Sequence, residues 1–378
     1  MRVAIDCRYV RERPSGIGEY VAAIARRLPE LSPDDAFDLW RHPRARGPLS
    51  TAPNVRERVV RAEANGVASL LWPARLGDLA RVDVLHLPSN QLGRGLGRDV
   101  ATVVTVHDLM WLTAPSLASR PGVASSIRRA YFAAGCRLAL ARATRLVAIS
   151  RATADEIARE APGASARTVV IPHGVDARFT PAGDDTEAHA RAAAALGFDA
   201  PYLLAVGQNA PFKGHDVALE AFAAGALARD ARLVFVQRLE RSAALPRRAR
   251  ELGIAERVVF SGPLGEVALL DVLRGAMALV QASHVEGFGM PALEAMAAGV
   301  PVVASDAAAL VEVCGGAALH ARRGDVGGLA QAMRRVATEP SLRGELRARG
   351  IERAKAFSWV ASAELHLDVY REAARAVG

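Results

Sequence analysis

The sequence predicts an α/β chain of two doubly wound domains, and three observations carry that prediction. At 378 residues the chain is too long for one typical core, and two domains of roughly 150–200 residues are expected. Apolar runs of strand length alternate with stretches of helical spacing, which is the pattern of βα units. Twice, at Val3–Cys7 and at Tyr202–Val206, such a run leads into a glycine-containing loop and then a helix, so the design starts afresh near the middle.

Composition narrows the class. Hydrophobic residues make up 51% and the mean hydropathy is +0.12, values of a soluble globular protein. No apolar run approaches the ~20 residues that span a bilayer. Met1–Asp6 carries charge inside its apolar stretch and reads as a first strand, not a signal peptide. Cys7, Cys136 and Cys314 are odd in number and widely spaced, so buried reduced thiols in a cytoplasm are expected. The net charge is +8. A solvated arginine-rich surface and peripheral contact with an anionic membrane face or polyanionic acceptor both fit it. Nucleic-acid binding does not, because no such motif is present and aromatics are only 5%.

Taken in order, Val3–Cys7 is the first buried strand. Pro14-Ser15-Gly16-Ile17-Gly18-Glu19-Tyr20 follows, and Ile17, Val21, Ile24, Ala25 and Leu28 share one helical face. Gly16 and Gly18 let a ligand approach the backbone, although a bare G-x-G is equally a plain turn. From Ala36 to Val100 the pattern is noisier, with Val82–Pro88 as a strand and 91–99 as an exposed loop. Val103–Val106 is a strand ending at His107-Asp108, where open α/β sheets bind ligands; a histidine satisfied by the strand end is the other reading. Met110–Pro121 reads as a mobile active-site loop, Ala124–Ala143 as a long helix, and Arg145–Ile149 as a strand with Ser150 capping the next helix. Thr180–Glu187, with Pro181, Gly183 and paired aspartates, is the best linker, giving domains 1–182 and 183–359.

The second half repeats the design. After Tyr202–Val206 comes Gly207-Gln208-Asn209-Ala210-Pro211-Phe212-Lys213-Gly214. Lys213 is placed at a helix start, where the dipole disfavours it, so an anionic partner is expected unless it is a plain surface lysine. Leu233–Gln237 and Val258–Leu264 are strand-like. Met277–Ala282 is a buried strand, and behind it stands Ser283-His284-Val285-Glu286-Gly287-Phe288-Gly289-Met290-Pro291-Ala292-Leu293-Glu294. This reads strand, glycine loop, helix N-terminus, a place where backbone N–H groups and the dipole favour an anion. Glu294 is placed in the first turn. Two carboxylates beside a phosphate site suit a ligand whose phosphate is flanked by polyols, such as a nucleotide sugar; solvated glutamates are the alternative. Leu329–Ala337 and Leu342–Phe357 are helical, and 360–378 is an amphipathic end.

Glu286 and Glu294 match the E-x7-E motif of retaining GT-B glycosyltransferases of family 4. EGFGMPALEAMAAGVPVVAS resembles that family's signature almost letter for letter, as does Ile171-Pro172-His173-Gly174-Val175-Asp176. Asp6-Cys7-Arg8 with Ser15–Gly18 resembles the O-antigen mannosyl- and rhamnosyltransferase-like branch, which usually has arginine where Glu19 stands. The resemblance implies a GT-B fold, two Rossmann-like domains facing across a cleft, with helix 360–378 crossing back to the first. It implies a nucleotide-diphosphate sugar donor, GDP-mannose-like in preference to UDP or dTDP sugars. The acceptor is a hydroxyl of a glycan, lipid-linked or small molecule. Lys213 then contacts the diphosphate with the amides of Gly287, Phe288, Gly289 and Met290. The family commonly pairs that lysine with an arginine five positions earlier, where this chain has Gln208; Arg238 is the candidate for the missing charge. Glu286 holds sugar hydroxyls, Glu294 the ribose, and Pro263 and Leu264 face the base. His107 lies near the donor sugar and is catalytic with Lys213 and Glu286, and the acceptor enters over Gly16, Gly18 and His107. No metal or other cofactor is expected, and the location is cytoplasmic or peripheral at the inner membrane face. A nucleotide-sugar epimerase and a catalytically inert nucleotide-sugar-binding protein remain as alternatives.

Overall fold

The computed structural model describes residues 1–12, 15–45, 47–71, 79–96, 99–118, 123–237 and 244–377. It divides into two compact units. One takes Met1–Ser116, Pro121–Gly174 and Ser358–Gly378, and the other takes Leu117–Arg120 and Val175–Phe357.

Among the described residues the first unit is built on seven strands: β1 (Arg2–Asp6), β2 (Ala36–Arg41), β3 (Val55–Val59), β4 (Val84–Leu87), β5 (Ala101–Val106), β6 (Arg145–Ala148) and β7 (Thr168–Val170). They form one sheet in the order β3-β2-β1-β4-β5-β6-β7. Every pairing is parallel. A parallel sheet covered on both faces needs strands apolar all round, and β4 and β5 are buried at every residue. Leu85, Val104, Val106, Leu140 and Leu146 lie in its core. The helix Gly16–Leu31 starts where Ser15 Oγ accepts the N–H of Gly18 at 3.1 Å. The two glycines therefore sit in its first turn rather than in a loop ahead of it. The final helix, Trp359–Arg375, packs on Gly16–Leu31 and on β5.

Among its described residues the second unit has six strands: β8 (Tyr202–Val206), β9 (Arg232–Val236), β10 (Val258–Phe260), β11 (Ala278–Gln281), β12 (Val302–Ser305) and β13 (Ala318–Ala321). Their order is β10-β9-β8-β11-β12-β13, again wholly parallel. Leu203, Phe222, Leu233, Phe235, Val280 and Met333 lie in its core. Both sheets run outward in both directions from their first strand, which is the doubly wound arrangement.

Two expectations change. The chain leaves the first unit after Gly174 and returns at Ser358, not in Thr180–Glu187. Asp184 there caps the helix Asp185–Leu196, accepting the N–H groups of Thr186 at 2.7 Å and Glu187 at 3.2 Å. The expected loop after His107 contains two short helical turns, Met110–Thr113 and Pro115–Ala118; its end lies outside the described residues. No helix among the described residues is long and apolar enough to cross a membrane.

Candidate active site

In each sheet the winding reverses beside the first strand, between β1 and β4 and between β8 and β11. Loops leaving the carboxyl ends of these strands diverge and open a crevice, the usual ligand position in such sheets.

In the second unit the loops after β8 and β11 are fastened together. The Phe212 carbonyl accepts N–H groups from His284 at 2.7 Å and Val285 at 3.4 Å. Gly214 has φ +61°, and a β-carbon on it would lie 2.1 Å from the Ala282 carbonyl oxygen. Only glycine allows both the left-handed turn and that approach. Lys213 is thereby delivered to Glu286: its Nζ donates to Oε2 at 2.8 Å and Oε1 at 3.2 Å. The side chains of Lys213 and Glu286 are 14% and 12% exposed, so solvent screens the pair less than a surface pair. Oε2 also accepts from Gln281 Nε2 at 2.9 Å and Ser283 Oγ at 3.0 Å.

Behind Glu286 the chain turns through Gly289, at φ +105°, into the helix Met290–Ala297, with Pro291 in its opening positions. The buried Phe288 stands edge-on to Phe357 at 5.7 Å and anchors the loop from Gly287 to Met290. The helix begins at Met290, so Glu294 is half-buried in its second turn, not in the first. Lys213 is corrected as well. It closes the single 3-10 turn Pro211–Lys213, and the helix proper begins at His215 after Gly214. Its negative partner is Glu286.

Gln208 is in the same loop as Lys213, just beyond β8. Pro263 and Leu264 follow β10, the edge strand two places from β8 in the same sheet. Arg238 lies outside the described residues. Sequence reasoning missed the buried pair His215–Gln237, whose Nδ1–H donates to the amide oxygen at 2.7 Å. Burial, with Lys213 adding to it, pushes the His215 ring down to about 4 against the opposing Gln237 bond. It also missed Gln281 and Ser283. The signal was a glutamine inside the otherwise apolar run Met277–Ala282, which a strand buried on both faces does not carry without a reason.

In the first unit, Gly18 is a glycine for internal reasons, since a β-carbon would stand 2.7 Å from the Tyr9 carbonyl. At Gly16 a β-carbon would meet nothing within 4 Å, so the fold itself makes no such demand there. Asp6 and Arg8 form a buried two-pronged pair at 2.7 and 2.6 Å, and Arg8 Nη1 donates to the Ala62 carbonyl at 2.8 Å. This fixes the turn after β1. His107 is buried after β5. Its backbone N–H donates to Asn90 Oδ1 at 2.6 Å, and its Nε2–H donates to the Pro88 carbonyl at 3.0 Å. Burial pulls the ring down to about 4, outweighing that bond, so His107 is a neutral, fixed group at neutral pH. Tyr20 packs edge-on against it at 5.4 Å, and His173 lies 5.6 Å away.

Residues 14–179 match the family described as Glycosyltransferase Family 4, and residues 188–357 match Glycosyl transferases group 1. The D-inositol 3-phosphate glycosyltransferase of Actinosynnema mirum is 36% identical over 255 residues, 62% of this chain and 58% of that protein. The chain thus spans little more than half the length of that relative. The protein of the same name from Saccharomonospora viridis is 35% identical over 75% of this chain and 68% of its own. That from Kribbella flavida is 30% identical over 95% and 91%. Among solved structures, WaaG, a glycosyltransferase involved in lipopolysaccharide biosynthesis, has a TM-score of 0.74 at 18% identity, covering 97% of this chain and 99% of its own. Anabaena HepE in complex with UDP and glucose has a TM-score of 0.72 at 17% identity, covering 97% and 98%. Sucrose-phosphate synthase from Thermosynechococcus elongatus has 0.72 at 21% identity, covering 98% of each. These likenesses establish the fold, and the sequence matches establish the lineage: the chain belongs to the family 4 (group 1) glycosyltransferases, built on the GT-B fold.

Proposed function

We propose that the chain is a hexosyltransferase that moves a sugar from a nucleotide-diphosphate donor to a hydroxyl acceptor with retention of anomeric configuration. One observation carries the reading. Lys213 and Glu286 stand side by side at the carboxyl ends of β8 and β11, next to the N-terminal end of the helix Met290–Ala297. The chemical demand is to break the anomeric C–O bond while a diphosphate departs. Positive charge fixed where that negative charge develops lowers the barrier. Lys213 and the amides of Gly287, Phe288 and Gly289 supply it, and charge-assisted bonds to phosphate are about twice as strong as neutral ones. Glu286 orients the sugar hydroxyls rather than attacking carbon, and the acceptor hydroxyl enters on the face the diphosphate leaves. Glu294 receives the ribose hydroxyls.

GDP-mannose is the donor to test first, with UDP and dTDP sugars beside it. The relatives named for D-inositol 3-phosphate make that compound an acceptor to include. The test is thermal denaturation against the donor panel, followed by NMR of the product's anomeric centre. A donor at 100 times its Kd adds about 2.7 kcal/mol of stability. Lys213→Ala should lower kcat by about 10²–10³, or about 2.7–4 kcal/mol, as a lost oxyanion donor does. No stabilisation by any nucleotide sugar, or wild-type kinetics in Lys213→Ala, would reject the proposal. Release of a rearranged free sugar without acceptor would move it to an epimerase.

A further inference from the structure

We infer that Gln281 and Ser283 are positioning residues that clamp one oxygen of Glu286 and leave its other oxygen to receive a sugar hydroxyl. The inference rests on the donor reading above and divides its carboxylate into an anchored and a working oxygen. Oε2 accepts three donors, Lys213 Nζ at 2.8 Å, Gln281 Nε2 at 2.9 Å and Ser283 Oγ at 3.0 Å. Oε1 takes only the longer Lys213 contact at 3.2 Å among these. A carboxylate has about four lone-pair sites in all, so Oε2 is saturated and Oε1 keeps capacity.

The two neutral donors do something the lysine cannot. A departing diphosphate competes with Glu286 for Lys213, and a carboxylate held by that lysine alone would swing with it. Gln281 and Ser283 hold the carboxylate without cancelling its charge. Both are well placed to stay still. Gln281 ends β11 and is 5% exposed; Ser283 is fully buried, and its carbonyl accepts Ser305 Oγ at 2.6 Å. Facing a carboxylate, the glutamine must present its NH2, so its orientation is set by chemistry. Its own Oε1 is then buried with no partner among the described residues. An orphaned buried acceptor is a cost to folding that an aliphatic side chain would avoid. What the amide holds, Glu286, accounts for its presence.

Three variants test this in the full chain with the best donor from the panel above. Gln281→Leu keeps the volume and removes the donor. Its kcat should fall by about 10², the scale of a displaced catalytic group, with donor KM within about threefold because ground-state phosphate contacts are untouched. Ser283→Ala should show the same split with a smaller loss. Gln281→Glu puts a second carboxyl against Glu286, and two like charges at that distance retain a proton. Once protonated, the introduced carboxyl donates as the amide did, so its activity should return toward wild type as pH falls, unlike that of Gln281→Leu. A crystal structure of Gln281→Leu should show the Glu286 carboxylate rotated away from Ser283. Wild-type kcat in Gln281→Leu, no acid recovery in Gln281→Glu, or an unmoved Glu286 in that crystal overturns the inference. If the wild-type chain processes no nucleotide sugar, the donor reading fails, and the crystal structure still decides whether Gln281 sets the position of Glu286.

Discussion

Gly214 sits between Lys213 and the helix His215–Ala224, with φ +61° and the Ala282 carbonyl 2.1 Å from where a β-carbon would stand. Gly214→Ala should therefore destabilise by at least about 1–2 kcal/mol from the left-handed backbone alone, and further by pushing the loop off Ala282. That retreat carries Lys213 away from Glu286, so turnover should fall with stability. Gly16→Ala is the opposite case. In the first turn of a helix with open space around it, the added methyl should leave the fold unchanged or up to about 1 kcal/mol more stable. It should still slow transfer if an acceptor lies against that backbone. Urea midpoints at constant m separate these outcomes: a lower midpoint for Gly16→Ala, or an unchanged one for Gly214→Ala, contradicts them.

The helix Trp359–Arg375 is tied to the first unit by a buried chain of hydrogen bonds whose direction is fixed at one end. His366 Nδ1 lies 2.6 Å from the Ser362 carbonyl, so it must carry the proton. In a neutral ring its Nε2 then accepts from Tyr20 OH at 2.7 Å. Tyr20 in turn accepts from Thr105 at 2.8 Å, Thr105 from His86 Nε2–H at 2.8 Å, and His86 Nδ1 from Tyr370 OH at 2.7 Å. The chain starts and ends on the same helix, passing through the helix Gly16–Leu31, β5 and β4. Tyr20→Phe removes the middle link and orphans a buried His366 nitrogen, which should cost about 1–3 kcal/mol. Hydrogen exchange should show protection lost over 359–375 and retained over 202–206; unchanged protection at 359–375 rejects this account. None of that chain was legible in the sequence, since it joins residues up to 346 positions apart. What was legible was local. Buried strands such as β5 and β8 announce themselves as apolar runs, and the glycine loop before Met290 announces its turn. β3 was hidden because it is an edge strand, VRERV, whose three charged residues imitate a loop although Glu57 is half-buried and accepts the Leu49 N–H. β13 is another edge strand, and its His320 and flanking glycines obscured it. At the site, Glu286 and Lys213 could be named from their loops, but their pairing needed the register of β8 against β11.

Across the whole molecule the buried histidines are unevenly shared. In the first unit His86, His107, His173 and His366 are all buried and held below the ordinary histidine value, chiefly by burial, with His107 and His366 at about 4. Neighbouring histidines add to the shift at His86 and His173. In the second unit His215 is the corresponding group, also at about 4. The unfolded chain binds these protons near pH 6.5, and the folded chain refuses those of His107, His366 and His215 until about pH 4. More protons are therefore bound in the unfolded state across that window, and stability falls as pH falls. Between pH 6.5 and 5 each such group removes about 2 kcal/mol. His107 and His366 together remove about 4 kcal/mol from the first unit before His86 and His173 are added, against a typical domain stability of about 5–15 kcal/mol. The second unit loses about half that two-histidine amount. Carboxylates held low by their partners, such as Asp35 with the N-terminal amine and Ser32, lose their contribution only at lower pH. Glu156, raised by burial and by Asp108, acts in the opposite sense and is a single group. Acidification should therefore loosen the first unit while the second stays folded. Calorimetry at pH 7, 6 and 5 should resolve one unfolding transition into two. Exchange mass spectrometry at pH 5 should find protection lost over 84–106 and 359–375 before 278–305. A single transition that shifts uniformly, or earlier loss in the second unit, would show that these buried rings do not govern acid stability.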